Sequence, residues 1–415
     1  MHKRRVVVTG YGAVTPIGIG VKNYWNALIA GENGVDLITK FDTTNFDTKF
    51  AAEIKNFNPL DYFEKKSIKR TDPFTQYALV SAQEAIESSQ INLEKVDKDR
   101  FGVIFGSGIG GMDALQSEHF KYFQSKNPGT ISPFFIPMMI ADLAAGQISI
   151  KYGLKGPNYA TTSACATASH AIADAFMIIQ RGAADIMLCG GSEAAIAEMS
   201  IGGFNAMKAL STWNDRYKEA SRPFDKDRNG FVMGEGAGTL IIEELEHALS
   251  RGANIIAEIG GIGLTADAYH ITAPAPGGEG AVRSMKMAIQ DAGLSIQDIN
   301  HINAHGTSTP YNDVNETMAI KTLFGDHAYK IVVNSTKSMT GHLLGAAGGI
   351  EAIATILAIQ NDLVPPTINL TNPDPECDLN YSALKATPVK INAAISNTFG
   401  FGGHNASLLF KKFEE

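Results

Sequence analysis

Ala78-Leu-Val-Ser-Ala-Gln-Glu-Ala-Ile86, leading to Phe101-Gly-Val-Ile-Phe-Gly-Ser107, is matched later in the chain by Ala281-Val-Arg-Ser-Met-Lys-Met-Ala-Ile289, leading to His301-Ile-Asn-Ala-His-Gly-Thr307. In both, apolar residues at i, i+4 spacing predict an amphipathic helix, and a polar stretch then gives way to a strand ending in glycine. The openings of the two halves echo as well: Val7-Val-Thr-Gly-Tyr-Gly12 and Glu258-Ile-Gly-Gly-Ile-Gly263. A repeat of helix–strand units predicts a duplicated α/β protein, with halves at 1–250 and 251–415 meeting face to face. No linker divides them, and Glu243 to Ala253 is expected as a helix passing between. Gly110 to Pro137, with prolines at Pro128 and Pro133, reads as an insertion.

Composition suits this class. The chain has 415 residues, too many for one simple core. Apolar residues make up 44% and charged residues 19%, and the 41 glycines suit many tight turns. Three cysteines without CxxC spacing disfavour a disulfide framework or a zinc site. A net charge of −8 disfavours nucleic acid as a partner. The N-terminus carries no charged-then-apolar leader. No run is expected to reach the roughly 18 apolar residues of a membrane span. The expectation is a soluble cytoplasmic protein with no membrane partner.

Cys165 lies in Thr161-Thr-Ser-Ala-Cys-Ala-Thr-Ala-Ser-His170, after a turn at 152–157 and at the start of a helix expected over 166–181. Free amides at a helix N-terminus favour thiolate over thiol, which suits a nucleophile. Alone, the segment fits equally a small buried cysteine packing as a hydrophobe. Two histidines add weight: Asn303-Ala-His305-Gly-Thr-Ser-Thr-Pro310, and Ser335-Thr-Lys337-Ser-Met-Thr-Gly-His342, which runs into an apolar helix from 343 to 359. Each follows a strand-like run. A cysteine that accepts an acyl group and imidazoles that donate to an oxyanion suit thioester chemistry. Gly106-Ser-Gly-Ile-Gly-Gly111 offers a competing motif, the G-x-G-x-x-G of a dinucleotide site, but no acidic residue follows at the spacing of a ribose partner.

These segments, in this order, resemble the condensing enzymes of fatty-acid synthesis, the beta-ketoacyl-[acyl-carrier-protein] synthases of the thiolase-like superfamily. The resemblance spans essentially the whole chain. It includes Arg4 to Gly12, Ser221-Arg-Pro-Phe-Asp225, Gly230 to Gly236, Val364 to Leu370 and Ser396-Asn-Thr-Phe-Gly-Phe-Gly-Gly-His-Asn405. It implies a thiolase-like five-layer αβαβα sandwich and a decarboxylating Claisen condensation. An acyl group on acyl carrier protein joins a malonyl group on a second carrier, giving 3-oxoacyl-carrier protein in chain elongation. Thiolases use a second cysteine and initiation enzymes Cys-His-Asn. Two histidines here imply an elongation enzyme, and Ile109 leans toward its type 2 branch.

The resemblance implies roles residue by residue. Cys165 is the nucleophile, and the backbone amides of Cys165 and Phe401 form an oxyanion hole. His305 and His342 serve malonyl decarboxylation. Lys337 belongs to the catalytic surroundings with Glu351, although a purely structural ion pair fits the sequence as well. Ile109 lines the acyl pocket, Thr307 and Thr309 bind pantetheine amides, and Phe399 and Phe401 gate the acyl-cysteine. Asn303, Glu351, Ser396 and Asn397 match oxygen ligands of a monovalent cation in some relatives; no metal or cofactor is required. Asp313 and Glu316 read as structural. His404 replaces a common threonine and reads as a tolerated variant. Lys65, Lys66, Lys69 and Arg70, with Lys208, are expected to dock the carrier protein beside the pantetheine entrance. A homodimer is implied, with the Gly110–Pro137 insertion contributing to its contact and to the pocket. The alternatives are a polyketide-type ketosynthase, a non-catalytic chain-length-factor-like partner, which would lack Cys165, and an oxidoreductase using the glycine loop.

Overall fold

Val6–Thr15 and Ala257–Ala266, the strands that open the two halves, lie side by side. They pair antiparallel through Val6 with Ile259, Val7 with Glu258 and Val8 with Ala257. The structure is a computed structural model and describes residues 3–414. From this junction the hydrogen-bonded order on one side is Gly236–Glu244, Ile186–Glu193, Phe101–Gly106 and Asn158–Tyr159. On the other it is His404–Lys411, Ala393–Gly400, Ile299–Asn303 and Val332–Asn334. Each half therefore runs first, fifth, fourth, second, third strand. The pairings match in sense too: Phe101–Gly106 is parallel to Ile186–Glu193, and Ile299–Asn303 is parallel to Ala393–Gly400.

The repeat is a real duplication, and glycine explains its opening motif. The helix Pro73–Ser89 packs on the first strand of one half and Glu279–Asp291 on that of the other. A Cβ on Gly12 would sit 2.0 Å from the Ser81 carbonyl oxygen, and one on Gly263 would sit 1.9 Å from that of Ser284. Only a strand without side chains at these points admits the helix backbone so closely.

Two buried helices, Thr167–Gln180 after the cysteine and Ala347–Asn361 after His342, lie between the half-sheets and touch strands of both. Their alanines and isoleucines share one core with Val6, Val8, Leu240, Leu408 and Phe410. Separate cores under Pro73–Ser89 and Glu279–Asp291 cover the outer faces. The layers are therefore helix, sheet, helix, sheet, helix, the thiolase-like sandwich.

Two expectations need correction. Glu243 and Glu244 end a strand, and the helix between the halves is only Leu245–Ser250, started by Glu244 accepting from the His247 amide at 2.9 Å. The segment Leu344–Asn361 does reach the length and apolarity of a membrane span. Burial of 89% of it inside the fold explains that composition, because a central helix covered on both sides has no polar face. The Gly110–Pro137 stretch, expected as an insertion, is largely helical, with Met112–Ser125 followed by turns. It carries exposed Leu115, Phe120, Tyr122 and Phe123.

Candidate active site

Cys165 sits on a tight turn, Ala164–Ala166, that feeds the helix Thr167–Gln180. Ala164 takes φ 49°, a left-handed conformation that costs a residue with a Cβ on the order of 1–3 kcal/mol and is retained where surroundings enforce it. Thr167 enforces it here. Its hydroxyl donates to the Ala164 carbonyl at 2.8 Å and accepts from the Ser163 amide at 2.9 Å. The other half repeats the device: Leu344 has φ 48° in the turn Leu344–Ala346 before Ala347–Asn361. Gly345 thus occupies in the second half the place of Cys165 in the first.

The second half supplies the histidines. His342 Nε2 lies 3.0 Å from Cys165 Sγ, and the Leu344 amide donates to its Nδ1 at 3.3 Å. An acceptor at Nδ1 leaves the proton of the neutral ring on Nε2, facing sulfur. His305 follows the strand Ile299–Asn303, and Glu316 holds it by the backbone, accepting from the amides of His305 and Gly306 at 2.9 Å each. The two imidazoles meet edge to face at 5.3 Å, and ligating atoms of Cys165, His305 and His342 lie within 4.8 Å of one another. Lys337 and Glu351, both buried, form an ion pair.

Burial pushes both imidazoles well below their ordinary value, and the Lys337 charge pushes further, so each is neutral near pH 7. Burial likewise raises Glu351, with Lys337 pulling it back. The expectation that helix amides favour the thiolate fails in this resting site. Burial pushes the Cys165 thiol up to about 11, outweighing the Lys337 charge and the Phe401 amide. Loss of hydration around a sulfur at the buried end of a cavity exceeds what a few donors return. Because pH 7 to 10 lies below that value, alkylation of Cys165 by a small neutral reagent should rise roughly tenfold per pH unit over the range. A rate that levels off near pH 7 would show a resting thiolate instead.

A cavity of about 420 Å³ opens onto Cys165, His305 and His342. Ile109, Thr307, Thr309, Phe399, Phe401 and Lys208 line it. The Thr307 and Thr309 hydroxyls are 2.9 Å apart, on one wall. Phe399 packs 5.9 Å from the His305 ring, and Phe401 meets Phe204 at 6.5 Å. Gly400 packs closely on the cysteine turn: a Cβ there would lie 2.9 Å from the Ser163 carbonyl oxygen and 3.2 Å from the Cys165 amide nitrogen. Lys65, Lys66, Lys69 and Arg70 are exposed on and just after a short turn of helix, Lys65–Ile68, before Pro73–Ser89. They are not among the lining residues; Lys208 alone of the basic set reaches the cavity. Arg70 is instead stacked over Phe134 at 4.6 Å. His404 is exposed, with its ring 6.3 Å from that of His170, outside the cavity lining.

The amides of the glycine loop are engaged within the protein. The amides of Gly108 and Ile109 donate to the Glu193 carboxylate at 2.9 and 3.2 Å, so the protein's own anion takes the place a pyrophosphate would need. Sequence reading missed Glu193, because a single acid at a strand end has no local signature and only the fold brings four donors to it. It also missed Phe231, whose ring packs 5.4 Å from His342.

Family models for the beta-ketoacyl synthase N-terminal and C-terminal domains match residues 3–248 and 256–371. The chain belongs to the beta-ketoacyl synthase family. It is 52% identical over 414 residues to 3-oxoacyl-[acyl-carrier-protein] synthase 2 of Synechocystis sp., covering 100% of this chain and 99% of that one. It is 55% identical over 413 residues to the enzyme of the same name from Staphylococcus aureus, with the same coverage. Among solved structures, a type II polyketide ketosynthase bound to a hexaketide and in complex with its acyl-carrier protein superposes with a TM-score of 0.92 at 34% identity over 100% of both chains. As a beta-ketoacyl synthase the chain is a condensing acyltransferase. The higher identity to the synthase 2 enzymes favours fatty-acid elongation over the polyketide alternative, and Cys165 is at odds with a non-catalytic partner.

Proposed function

We propose that this beta-ketoacyl synthase elongates acyl chains carried by acyl carrier protein, with Cys165, His305 and His342 sharing the chemistry. The single observation that carries this assignment of residues is the convergence of one sulfur and two neutral imidazoles within 4.8 Å at the end of one cavity. In the first half-reaction the Cys165 sulfur attacks the acyl thioester. The tetrahedral oxyanion accepts from the backbone amides of Cys165 and Phe401, the carbon–sulfur bond to the carrier breaks, and the proton given up by the Cys165 thiol ends on the departing carrier thiolate. The acyl group is then a thioester of Cys165.

In the second half-reaction malonyl-carrier protein enters and loses carbon dioxide. The electron pair of the broken carbon–carbon bond becomes an enolate, whose oxygen accepts N–H bonds from His305 and His342. Neutral rings suit this role, since each keeps one proton to donate. The enolate carbon attacks the acyl-Cys165 carbonyl, the thiolate of Cys165 leaves, and 3-oxoacyl-carrier protein departs. Lys337 places a positive charge near all three groups, and Glu351 anchors it. Ile109 bounds the acyl chain, Thr307 and Thr309 accept the pantetheine arm, and Phe399 and Phe401 gate the acyl-cysteine on a glycine-rich segment.

The protein needs no resident cofactor in this reading, because the phosphopantetheine arrives with the partner. A monovalent cation fits beside the ion pair. Among the described residues, Asn303 Oδ1, Ser396 Oγ and Glu351 Oε2 are buried oxygens without hydrogen-bond partners, and Asn303 and Ser396 are paired across adjacent strands. Bound there, the ion would add fixed positive charge behind the histidines. Asn397, the fourth residue of the expected set, differs from these three in already having hydrogen-bond partners. Its Oδ1 accepts from Ser407 at 2.8 Å, and its amide group donates to Glu316 at 3.3 Å. The exposed apolar residues Leu115, Phe120, Tyr122 and Phe123 favour a homodimer, and the three free cysteines suit the cytoplasm.

Mass spectrometry of the intact protein after incubation with acyl-carrier proteins tests the assignment. An adduct mapped to Cys165 is expected, and an adduct elsewhere or none refutes it. For docking, acidic carrier proteins need local positive charge on a chain of net −8. Fields between exposed charges screen over about 8–10 Å. Lys66→Glu with Lys69→Glu should raise KM for acyl-carrier protein about three- to tenfold and leave a small acyl-pantetheine substrate unchanged. Equal losses on both substrates would show that the run is structural.

A further inference from the structure

Glu193 ends the strand Ile186–Glu193 and is fully buried, with no cation paired to it among the described residues. Its carboxylate accepts four hydrogen bonds. Oε1 takes the Ser107 hydroxyl at 2.8 Å and the Ile109 amide at 3.2 Å; Oε2 takes the Gly108 amide and the Gly345 amide at 2.9 Å each. Three of these donors belong to the loop whose Ile109 lines the cavity. The fourth belongs to the turn after His342, one residue beyond the Leu344 amide that orients the His342 ring. Two glycines make the junction possible. A Cβ on Gly108 or on Gly345 would come within 2.7 Å of Glu193 Oε2.

The duplication shows what this junction is. Ile186–Glu193 and Ala393–Gly400 are equivalent strands, so Glu193 and Gly400 are equivalent ends. Gly400 lies against the amide of Cys165, and Glu193 reaches the amide of Gly345, the counterpart of Cys165. One half therefore leaves the turn amide free for an oxyanion. The other half fills the equivalent place with a carboxylate.

We propose that Glu193 is a positioning residue that fixes the acyl-chain wall at Ile109 and the His342 imidazole in one geometry, coupling chain-length preference to malonyl decarboxylation. The proposal rests on the roles given above to Ile109 and His342. Burying a carboxylate is costly unless its lone pairs are filled, and here all four donors come from the two loops. Moving either loop alone leaves part of the carboxylate unpaired, so the two hold each other. A displacement of about 1 Å at a reacting group can cost on the order of 100-fold in rate.

The test is Glu193→Gln in the full-length protein. The amide keeps the shape but turns an NH2 toward one pair of donors. The expected result is a change of about tenfold in the ratio of kcat/KM for a long acyl primer to that for a short one, together with at least about tenfold slower malonyl decarboxylation. A merely structural role would reduce all rates by one common factor, and a primer ratio within about twofold of the parent overturns the proposal. Should Glu193→Gln fail to fold, Ser107→Ala decides. It removes one of four donors and should shift the primer ratio in the same direction, and an unchanged ratio overturns the proposal. The parent protein serves as the control for the underlying reading. A missing acyl adduct on its Cys165 would refute the proposed function, whereas an adduct with an unchanged primer ratio in the variants refutes only the role of Glu193.

Discussion

Cys165→Ala loses acyl transfer and condensation, by a factor on the order of 10⁴ to 10⁶, as expected when a covalent nucleophile is removed from an otherwise intact site. The size follows from the geometry. Cys165 is the cysteine in contact with His342 and open to the cavity, while Cys189 lies inside the strand Ile186–Glu193 and is completely buried. Cys189→Ala is therefore the control. It should cost about 1–3 kcal/mol of stability through lost packing and leave acylation in place. The measurement is acyl-enzyme formation by mass spectrometry, alongside turnover. Acyl-enzyme at the parent's level on the Cys165→Ala protein would remove Cys165 from the mechanism.

The second large effect separates the half-reactions. His305→Ala and His342→Ala should each slow release of labelled carbon dioxide from malonyl-carrier protein by on the order of 100- to 1000-fold, the usual cost of one oxyanion donor. Both variants should still accept some acyl group on Cys165, because that oxyanion meets backbone amides, which no side-chain change removes. His342→Ala should acylate more slowly than His305→Ala, since His342 Nε2 is the group at 3.0 Å from sulfur. Glu316 holds His305 by its backbone, so the alanine variant keeps its loop and the comparison reads the ring alone. Unchanged carbon dioxide release in both variants would overturn this division of labour.

Local pattern alone determined a good deal here. Helix and strand periodicities in Ala78–Ser107 and Ala281–Thr307 revealed the duplication, because each period reports which face of one element is buried. The residue types at Cys165, His305 and His342, at strand ends and helix starts, suited thioester chemistry, and the order of their segments carried the resemblance that implied acyl condensation. Gly12 and Gly263 showed in the sequence as an echo between the two openings, and the structure gave the reason, a helix backbone pressed on each.

Tertiary structure decided the rest, and the reason is that electrostatics and contact depend on distance in space. Cys165 looked like a thiolate from its helix start, yet the enclosure that raises it to about 11 comes from walls contributed by both halves. Leu344 to Asn361 is apolar enough for a membrane by composition, and only its place between two sheets shows it to be a core helix. Lys65 to Arg70 formed the densest basic run after the N-terminus, but the chain's path left the cavity to Lys208. Glu193 had no sequence signal at all. Its four donors come from residues 107–109 and Gly345, segments far apart in the chain that only the packed halves bring onto one carboxylate.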